Sequence, residues 1–165
     1  MIEALFNAVV VKPIELEETM GLDSTLYKRH LIRGNNVKIS IEIDGKPCET
    51  INLEAIGTIV EEVAYWRKAS HIHNWFVENV KEGADNPRPY IVEKIDLLKL
   101  LKACKEVKAD PSRAEELLPC TDEPFCSFGE DYDERYFKII DETIITLENI
   151  LKDESVDEYE YFSIK

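Results

Sequence analysis

The residue types that could bind a ligand are concentrated in one stretch, Tyr65–Val77, which reads YWRKASHIHNWFV. It holds both tryptophans of the chain and two of its three histidines. An arginine such as Arg67 binds phosphate or carboxylate with a planar two-pronged geometry, and a tryptophan ring can stack on a nucleobase. The same residue types are also common in protein cores. The stretch therefore has two interpretations at this point, an anion-binding site and a set of core anchors.

Helical periodicity places this stretch inside a predicted central helix that runs roughly over Ile56–Lys81. Apolar side chains fall on two opposite flanks of that helix, and a polar stripe with Arg67, Ser70 and Asn74 runs between them. A helix that is apolar on two flanks is normally buried on both. Burial of an unpaired arginine is costly, so Arg67 must meet water, a carboxylate or a ligand phosphate. The stripe is either a solvated face or the wall of a cleft.

Other patterns predict the elements around this helix. Alternation or β-branched composition indicates strands at residues 5–12, 24–32, 37–43, 48–53, 90–92 and 159–164. A second helix is predicted over Glu93–Val107, and its expected buried residues are Leu97, Leu98, Leu101 and Cys104. A third helix is expected to begin near Asp131, and its expected core face is Tyr136, Ile140, Ile144, Leu147 and Leu151.

These elements predict an α+β fold. A small antiparallel β-meander would pack against the long central helix and two further helices, and a strand would follow near the C-terminus. We expect a single domain over residues 1–165, with residues 1–19 as an N-terminal extension strand and connector. The loop at 120–130 is the segment that we expect to contribute to a site, because loops commonly carry function.

Charge limits the classes of partner. The chain has a net charge of −14, and the charge is distributed unevenly: −4 over residues 1–80, +2 over 81–109 and −12 over 110–165. So negative a field argues against direct binding to nucleic acid or to an anionic membrane. No apolar run approaches the length of a membrane span, and the first residues lack the pattern of a secretory signal. We therefore expect a cytoplasmic protein.

The four cysteines predict no metal site. Cys48, Cys104, Cys120 and Cys126 have no repeated spacing, and in the cytosol they should be reduced thiols. Cys120 and Cys126 lie farther apart than the ligands of a zinc knuckle. His71 and His73 would point about 200° apart on a helix, so they could not reach one ion together. We expect neither a metal nor another cofactor.

Several motifs resemble a largely uncharacterised family that is common in bacteriophage genomes. The motifs are Met20–Asp23 with Leu26-Tyr27, then Tyr65–Ala69, Ile72-His73, Trp75–Val77, Leu117–Pro119, Phe128-Gly129, Asp131–Glu134, Tyr136-Phe137 and Tyr159–Phe162. The resemblance runs from about Met20 to Lys165. It implies a phage accessory protein in the cytoplasm of an infected bacterium. Such proteins often block host defence, and some sequester nucleotide immune signals.

The first hypothesis is a binding module for a nucleotide-like anion. Arg67 would bind phosphate, Lys68 would contribute if it turns towards the same cleft, and Trp66 or Trp75 would stack on a base. The loop residues Phe125 and Phe128 would close over the ligand. The complete set of expected ligand-binding residues is Trp66, Arg67, Lys68, Ser70, His73, Asn74, Phe125 and Phe128.

Two alternatives from other classes stay open. An acidic protein-binding inhibitor or nucleic-acid mimic would use Glu130, Asp131, Asp133 and Glu134 against a basic host protein. A phosphodiesterase-type enzyme would use His73 with Glu62 or Asp133 as an acid–base pair. No Gly-rich phosphate loop, nucleophile elbow or metalloprotease helix is present, so binding without turnover is favoured over catalysis. A homo-oligomer is compatible with a helix that is apolar on two flanks.

Overall fold

The fold is of the α+β class, as predicted. A computed structural model describes residues 21–32, 40–43, 46–47, 52–121, 132–153 and 158–165. Its elements are β1 (Asp23–Leu31), β2 (Glu42–Ile43), β3 (Lys46–Pro47), β4 (Thr58–Arg67), α1 (Ser70–Asn79), β5 (Tyr90–Val92), α2 (Lys94–Ala109), α3 (Ala114–Leu117), α4 (Glu134–Ile150) and β6 (Glu158–Ile164). The predicted strand at 5–12 and much of those at 37–43 and 48–53 lie outside the described residues.

The main sheet has four strands in the order β4-β1-β6-β5. Strand β6 pairs antiparallel with both of its neighbours, and Tyr161 lies opposite Leu26 of β1 and Tyr90 of β5. Along β6 every second residue is buried, including Tyr159 and Tyr161, as expected for a strand with one face on a core. This confirms the predicted strand near the C-terminus.

The prediction of one central helix over Ile56–Lys81 is wrong for its first half. Thr58–Arg67 is strand β4, and helix α1 begins only at Ser70. β-branched and aromatic residues predominate in β4, and these types favour strands. Burial near its end also alternates with period two, since Ala64 and Trp66 are buried while Tyr65 and Arg67 are exposed. A short apolar segment can match both periods, and here the strand period is the correct one.

The second and third predicted helices are confirmed as α2 and α4, although α4 begins at Glu134 and not at Asp131. Glu93 and Asp96 form a capping box at the start of α2, and Asp133 caps α4 by accepting a hydrogen bond from the backbone N–H of Tyr136. Most of the predicted core residues are buried. Leu98 is an exception, because it is 46 % exposed: a helix turns by about 100° per residue, which carries Leu98 off the face that the neighbouring Leu97 buries.

The central core lies between the sheet and the helices. Phe76 of α1 is fully buried and stacks on Tyr161 of β6, with 4.0 Å between the ring centroids. The ring of Trp66 lies 5.9 Å from that of Phe76. The stretch Tyr65–Val77 therefore supplies much of the centre of the core.

The chain forms two compact units. The larger one contains residues 20–29 and 60–165, and it holds the core just described. The described residues of the other unit are 30–32, 40–43, 46–47 and 52–59. There, β2 pairs antiparallel with β3, and the Ile32 N–H donates to the Gly57 carbonyl at 2.9 Å. The expectation of one domain over 1–165 includes residues outside the described ranges and stays a prediction. Among the described helices, none is both long and apolar enough to cross a membrane.

Candidate functional site

A groove of about 620 Å³ lies beside the end of β4 and the first turns of α4. Its volume falls within the range of small-molecule sites, roughly 300–1,000 Å³. The residues that line it are Tyr65, Trp66, Arg67, Ala69, Asp133, Glu134, Arg135, Lys138, Ile139 and Glu142. All of them belong to the larger unit.

Two periodicities position the groove residues. The strand period places the side chains of Tyr65 and Arg67 on the exposed face of β4. On α4, the residues Arg135, Lys138 and Glu142 are spaced three and four apart, which places them on one side of the helix. A guanidinium nitrogen of Arg135 lies 3.4 Å from the carbonyl oxygen of Arg67, so the two walls meet at this point.

The lining of the groove contains three cations and three carboxylates. Lys138 lies 3.8 Å from Glu142 one helical turn away, and Asp133 is engaged as the N-cap of α4. Tyr65 is 50 % exposed, and its hydroxyl donates to Asp23. Partial burial and this hydrogen bond raise the pKa of Tyr65 to about 12, which keeps its hydroxyl protonated at neutral pH. The groove thus offers guanidinium groups, an ammonium group, acceptor oxygens and an exposed aromatic ring.

Neither tryptophan presents an open ring face. Trp66 lines the groove but is 6 % exposed, and its indole N–H donates to the Thr143 hydroxyl at 2.9 Å. Trp75 is also buried and meets Phe76 edge to face. The structure therefore assigns the exposed aromatic position of the groove to Tyr65.

Of the other predicted ligand residues, Lys68, Ser70 and Asn74 do not line the groove. Lys68 has a positive φ of 53°, and its backbone N–H donates to Leu22. Its side chain lies so close to Gly21 that a Cβ there would be 2.5 Å from the Lys68 Cε. Ser70 is buried and Asn74 half-buried on α1. Phe125 and Phe128 lie outside the described residues.

His73 belongs to a buried polar network. Its Nδ1 lies 2.8 Å from the Tyr161 hydroxyl, which in turn lies 2.9 Å from the Ser24 hydroxyl. Its Nε2 lies 3.1 Å from the Asp85 carboxylate. The phosphodiesterase hypothesis pairs His73 with Glu62 or Asp133, whereas in the structure its two ring nitrogens contact Tyr161 and Asp85.

Asp85 is the centre of this network. Its carboxylate also accepts a hydrogen bond from the ammonium group of Lys165 and lies 3.8 Å from the ammonium group of Lys81. The side chain of Lys81 is fully buried and donates to the Ser163 hydroxyl and to the Asn86 carbonyl, each at 3.0 Å. Each polar group thus meets at least one protein partner.

The pKa values in the network follow from burial and pairing. Burial lowers the pKa of His73 and of Lys81, and Asp85 opposes both shifts. Burial alone would raise the pKa of the Asp85 carboxyl, but hydrogen bonds from Lys165 and His73 bring it below its usual value. The arrangement favours a neutral His73 and an ionised Asp85 at neutral pH.

His71 points elsewhere, as the helical geometry predicts. Its ring lies 4.2 Å from that of Tyr136, and it is 3 % exposed. Its Nε2 has no hydrogen-bond partner among the described residues. Burial lowers the pKa of His71 to about 3. In the part of the chain that the structure describes, no group of three or more His, Cys, Asp or Glu side chains could hold a metal ion.

Sequence reasoning missed Arg135, Lys138 and Glu142 as groove residues. A signal for them was present, because the predicted core face of α4 leaves these three on another side of the helix. What the sequence did not indicate is that β4 lies beside that side. Comparison with known protein families, characterised proteins and solved structures finds no match to this chain.

Proposed function

We propose that the protein acts by binding, and that the groove beside β4 and α4 holds a small nucleotide-like anion. The observation that carries this proposal is the presence of three cationic side chains, Arg67, Arg135 and Lys138, around one groove of small-molecule size. Two of them are arginines, whose planar guanidinium groups suit phosphate oxygens better than an ammonium group does.

Tyr65 gives the ligand an aromatic partner. Its ring is half exposed beside Arg67 on the outer face of β4, and base stacking on an aromatic side chain contributes about 1–3 kcal/mol. A ligand with a phosphate and a base would then use the arginines for charge and Tyr65 for stacking. Arg67 keeps the role that the sequence hypothesis gave it, and the stacking role moves from Trp66 or Trp75 to Tyr65.

The resemblance to phage proteins suggests the biological setting. We propose that the protein works in the cytoplasm of an infected bacterium and sequesters a nucleotide signal of host defence. Binding without turnover would be sufficient for that role, because a sequestered signal no longer reaches its receptor. An oligomer is compatible with this proposal but is not required by it.

The test is calorimetric titration of the full chain with a panel of mononucleotides and cyclic nucleotides, with native mass spectrometry as a second readout. Arg67→Ala should weaken binding by about tenfold or more, since it removes a charge-assisted hydrogen bond. Arg88→Ala is the matched control, because Arg88 is exposed and does not line the groove. It should leave the affinity unchanged.

Two results would overturn the proposal. One is the absence of binding to every member of the panel, and the other is equal affinity in the wild type and in Arg67→Ala. A host protein that co-purifies and dissociates as ionic strength rises would instead favour the acidic inhibitor. Of the acidic residues expected for that inhibitor, Glu130 and Asp131 lie outside the described residues, and Asp133 caps α4.

A further inference from the structure

The carboxylates of the groove constrain what kind of anion it can bind. Asp133, Glu134 and Glu142 lie in the same lining as the three cations. A ligand with only acceptor groups would be attracted by the cations and repelled by these carboxylates. A ligand that also carries N–H donors would turn the carboxylates into favourable contacts, since an ionised carboxylate can only accept hydrogen bonds.

Glu134 differs from the other two carboxylates. Asp133 accepts a hydrogen bond from the Tyr136 backbone N–H at 2.9 Å, and Glu142 lies 3.8 Å from Lys138. Within the described ranges, Glu134 makes no side-chain hydrogen bond or ion pair. It is exposed, and it precedes Arg135 directly at the start of α4. Its two oxygens are therefore the acceptors that a ligand could use without displacing another interaction of the described residues.

We infer that Glu134 reads the base of the ligand and that the preferred base is guanine. The Watson–Crick edge of guanine presents two adjacent donors, the N1–H and the N2 amine, which match the two oxygens of one carboxylate. Adenine presents one donor and one acceptor on that edge, so its N1 would face a carboxylate oxygen without a hydrogen. This inference rests on the proposed function, because it names the ligand class of the same groove.

The expected selectivity follows from the hydrogen bonds. A hydrogen bond to a charged group is worth enough to change affinity by about 10- to 100-fold, and a site that loses its donor partner also leaves its own acceptor unpaired. Guanosine monophosphate should therefore bind at least about tenfold more tightly than adenosine monophosphate. Inosine monophosphate keeps the N1–H and lacks the amine, so its affinity should be intermediate.

The experiment compares these three nucleotides by calorimetry on the full chain and on two matched variants. Both Glu134→Gln and Glu142→Gln remove one negative charge from the groove, so both should bind adenosine monophosphate, which is not expected to pair with Glu134, somewhat more tightly. Only Glu134→Gln should bring the guanosine-to-adenosine affinity ratio close to one. The ratio, rather than the affinity itself, separates base reading from the change in charge, and thermal melting of each variant verifies its fold.

The outcomes distinguish this inference from the proposed function. Equal affinity for the three nucleotides in the wild type, or a ratio that Glu134→Gln leaves unchanged, would overturn the guanine assignment while nucleotide binding stands. Failure of all three nucleotides and of the wider panel would overturn both. Loss of the ratio in Glu134→Gln with retention in Glu142→Gln would establish Glu134 as the base-reading residue.

Discussion

Two regions of the larger unit combine basic and acidic side chains in opposite ways. Around Asp85, the side chains of His73, Lys81 and Tyr161 are almost fully buried. His73 makes polar contacts of about 3 Å with Tyr161 and Asp85, and Lys81 makes one with Ser163. In the groove, Arg67 and Glu134 are exposed at the protein surface. The same residue types therefore serve to hold the structure together in one place and to face an open space in the other.

The difference shows that residue type alone does not indicate a site. His73 and Arg67 are six positions apart and belong to one sequence motif, but they lie in different environments. A buried charge must be paired inside the protein because desolvation is costly. An exposed charge keeps its hydration, so it can exchange water for a ligand. The comparison predicts that changes in the network alter stability, whereas changes in the groove alter binding.

The largest effect is expected from Asp85→Ala. This change removes the carboxylate beside Lys81, whose ammonium group would then stay buried without an ionic partner. Removing one partner of a buried ion pair costs roughly 3–5 kcal/mol of stability. Because Asp85 is partly exposed, we expect the free energy of unfolding to fall by about 2–3 kcal/mol. Urea unfolding monitored by circular dichroism measures this loss. Nucleotide affinity of the folded variant should stay as in the wild type.

Two further variants sharpen this result. Glu115→Ala, on an exposed position of α3, should change the free energy of unfolding by less than about 0.5 kcal/mol. A double variant, Lys81→Met with Asp85→Ala, removes the orphaned cation as well and should recover part of the lost stability. If Asp85→Ala is as stable as Glu115→Ala, the network does not stabilise the fold.

Lowering the pH should reduce the free energy of unfolding by a somewhat smaller amount, because histidines are buried, and should leave nucleotide affinity nearly unchanged. Burial lowers the pKa of His71 from its usual 6.5 to about 3, so between these values the unfolded chain binds a proton that the folded chain does not. The free energy of unfolding should therefore fall as pH decreases, on the order of 2 kcal/mol between pH 7 and pH 5. The shift at His73 acts in the same direction.

Urea unfolding at pH 7, 6 and 5 tests this dependence. His71→Phe keeps a flat ring against Tyr136 and removes the titrating group, so its stability should depend less steeply on pH. An identical pH dependence in this variant would contradict the assignment. Affinity for a cyclic mononucleotide should be nearly constant over the same range, because its phosphodiester stays ionised there.

The smallest effect concerns Trp66, which lines the groove but is itself a buried core residue. Trp66→Phe removes the indole N–H and leaves the buried Thr143 hydroxyl without this partner. We expect a loss of about 1.5 kcal/mol in the free energy of unfolding and less than a threefold change in nucleotide affinity. Trp75→Phe is the control for loss of indole volume. A large loss of affinity in Trp66→Phe alone would return the stacking role to that residue.

Local periodicity was sufficient for some elements and not for others. The apolar faces of α2 and α4 and the alternation of β6 repeat over several turns or residues, so they were predictable. In β4, β-branched and aromatic residues fitted a helical face as well as a strand, and only the neighbouring strands of the sheet decide between the two.

The candidate sites depend on contacts that no local pattern encodes. His73 and Tyr161 are 88 positions apart, Lys81 and Ser163 are 82 apart, and Arg67 meets Arg135 across 68. Sequence reasoning could select Arg67 and His73 as unusual residues. It could not determine that Arg67 would face a groove and that His73 would contact Tyr161 of β6, because both depend on how distant elements pack together.

That sheet order has a consequence for how the protein is made. Strand β6 lies between β1 and β5, and its residue Tyr161 is 137 positions away from its partner Ser24. At a synthesis rate of 5–20 residues per second, the ribosome needs roughly 7–30 s to make that span. During this time the β6-facing edge of β1 has no native partner, and that of β5 is also unpaired once Tyr90–Val92 has been made. An edge of this kind can pair with another chain, so the nascent sheet is open to such pairing until β6 has been made.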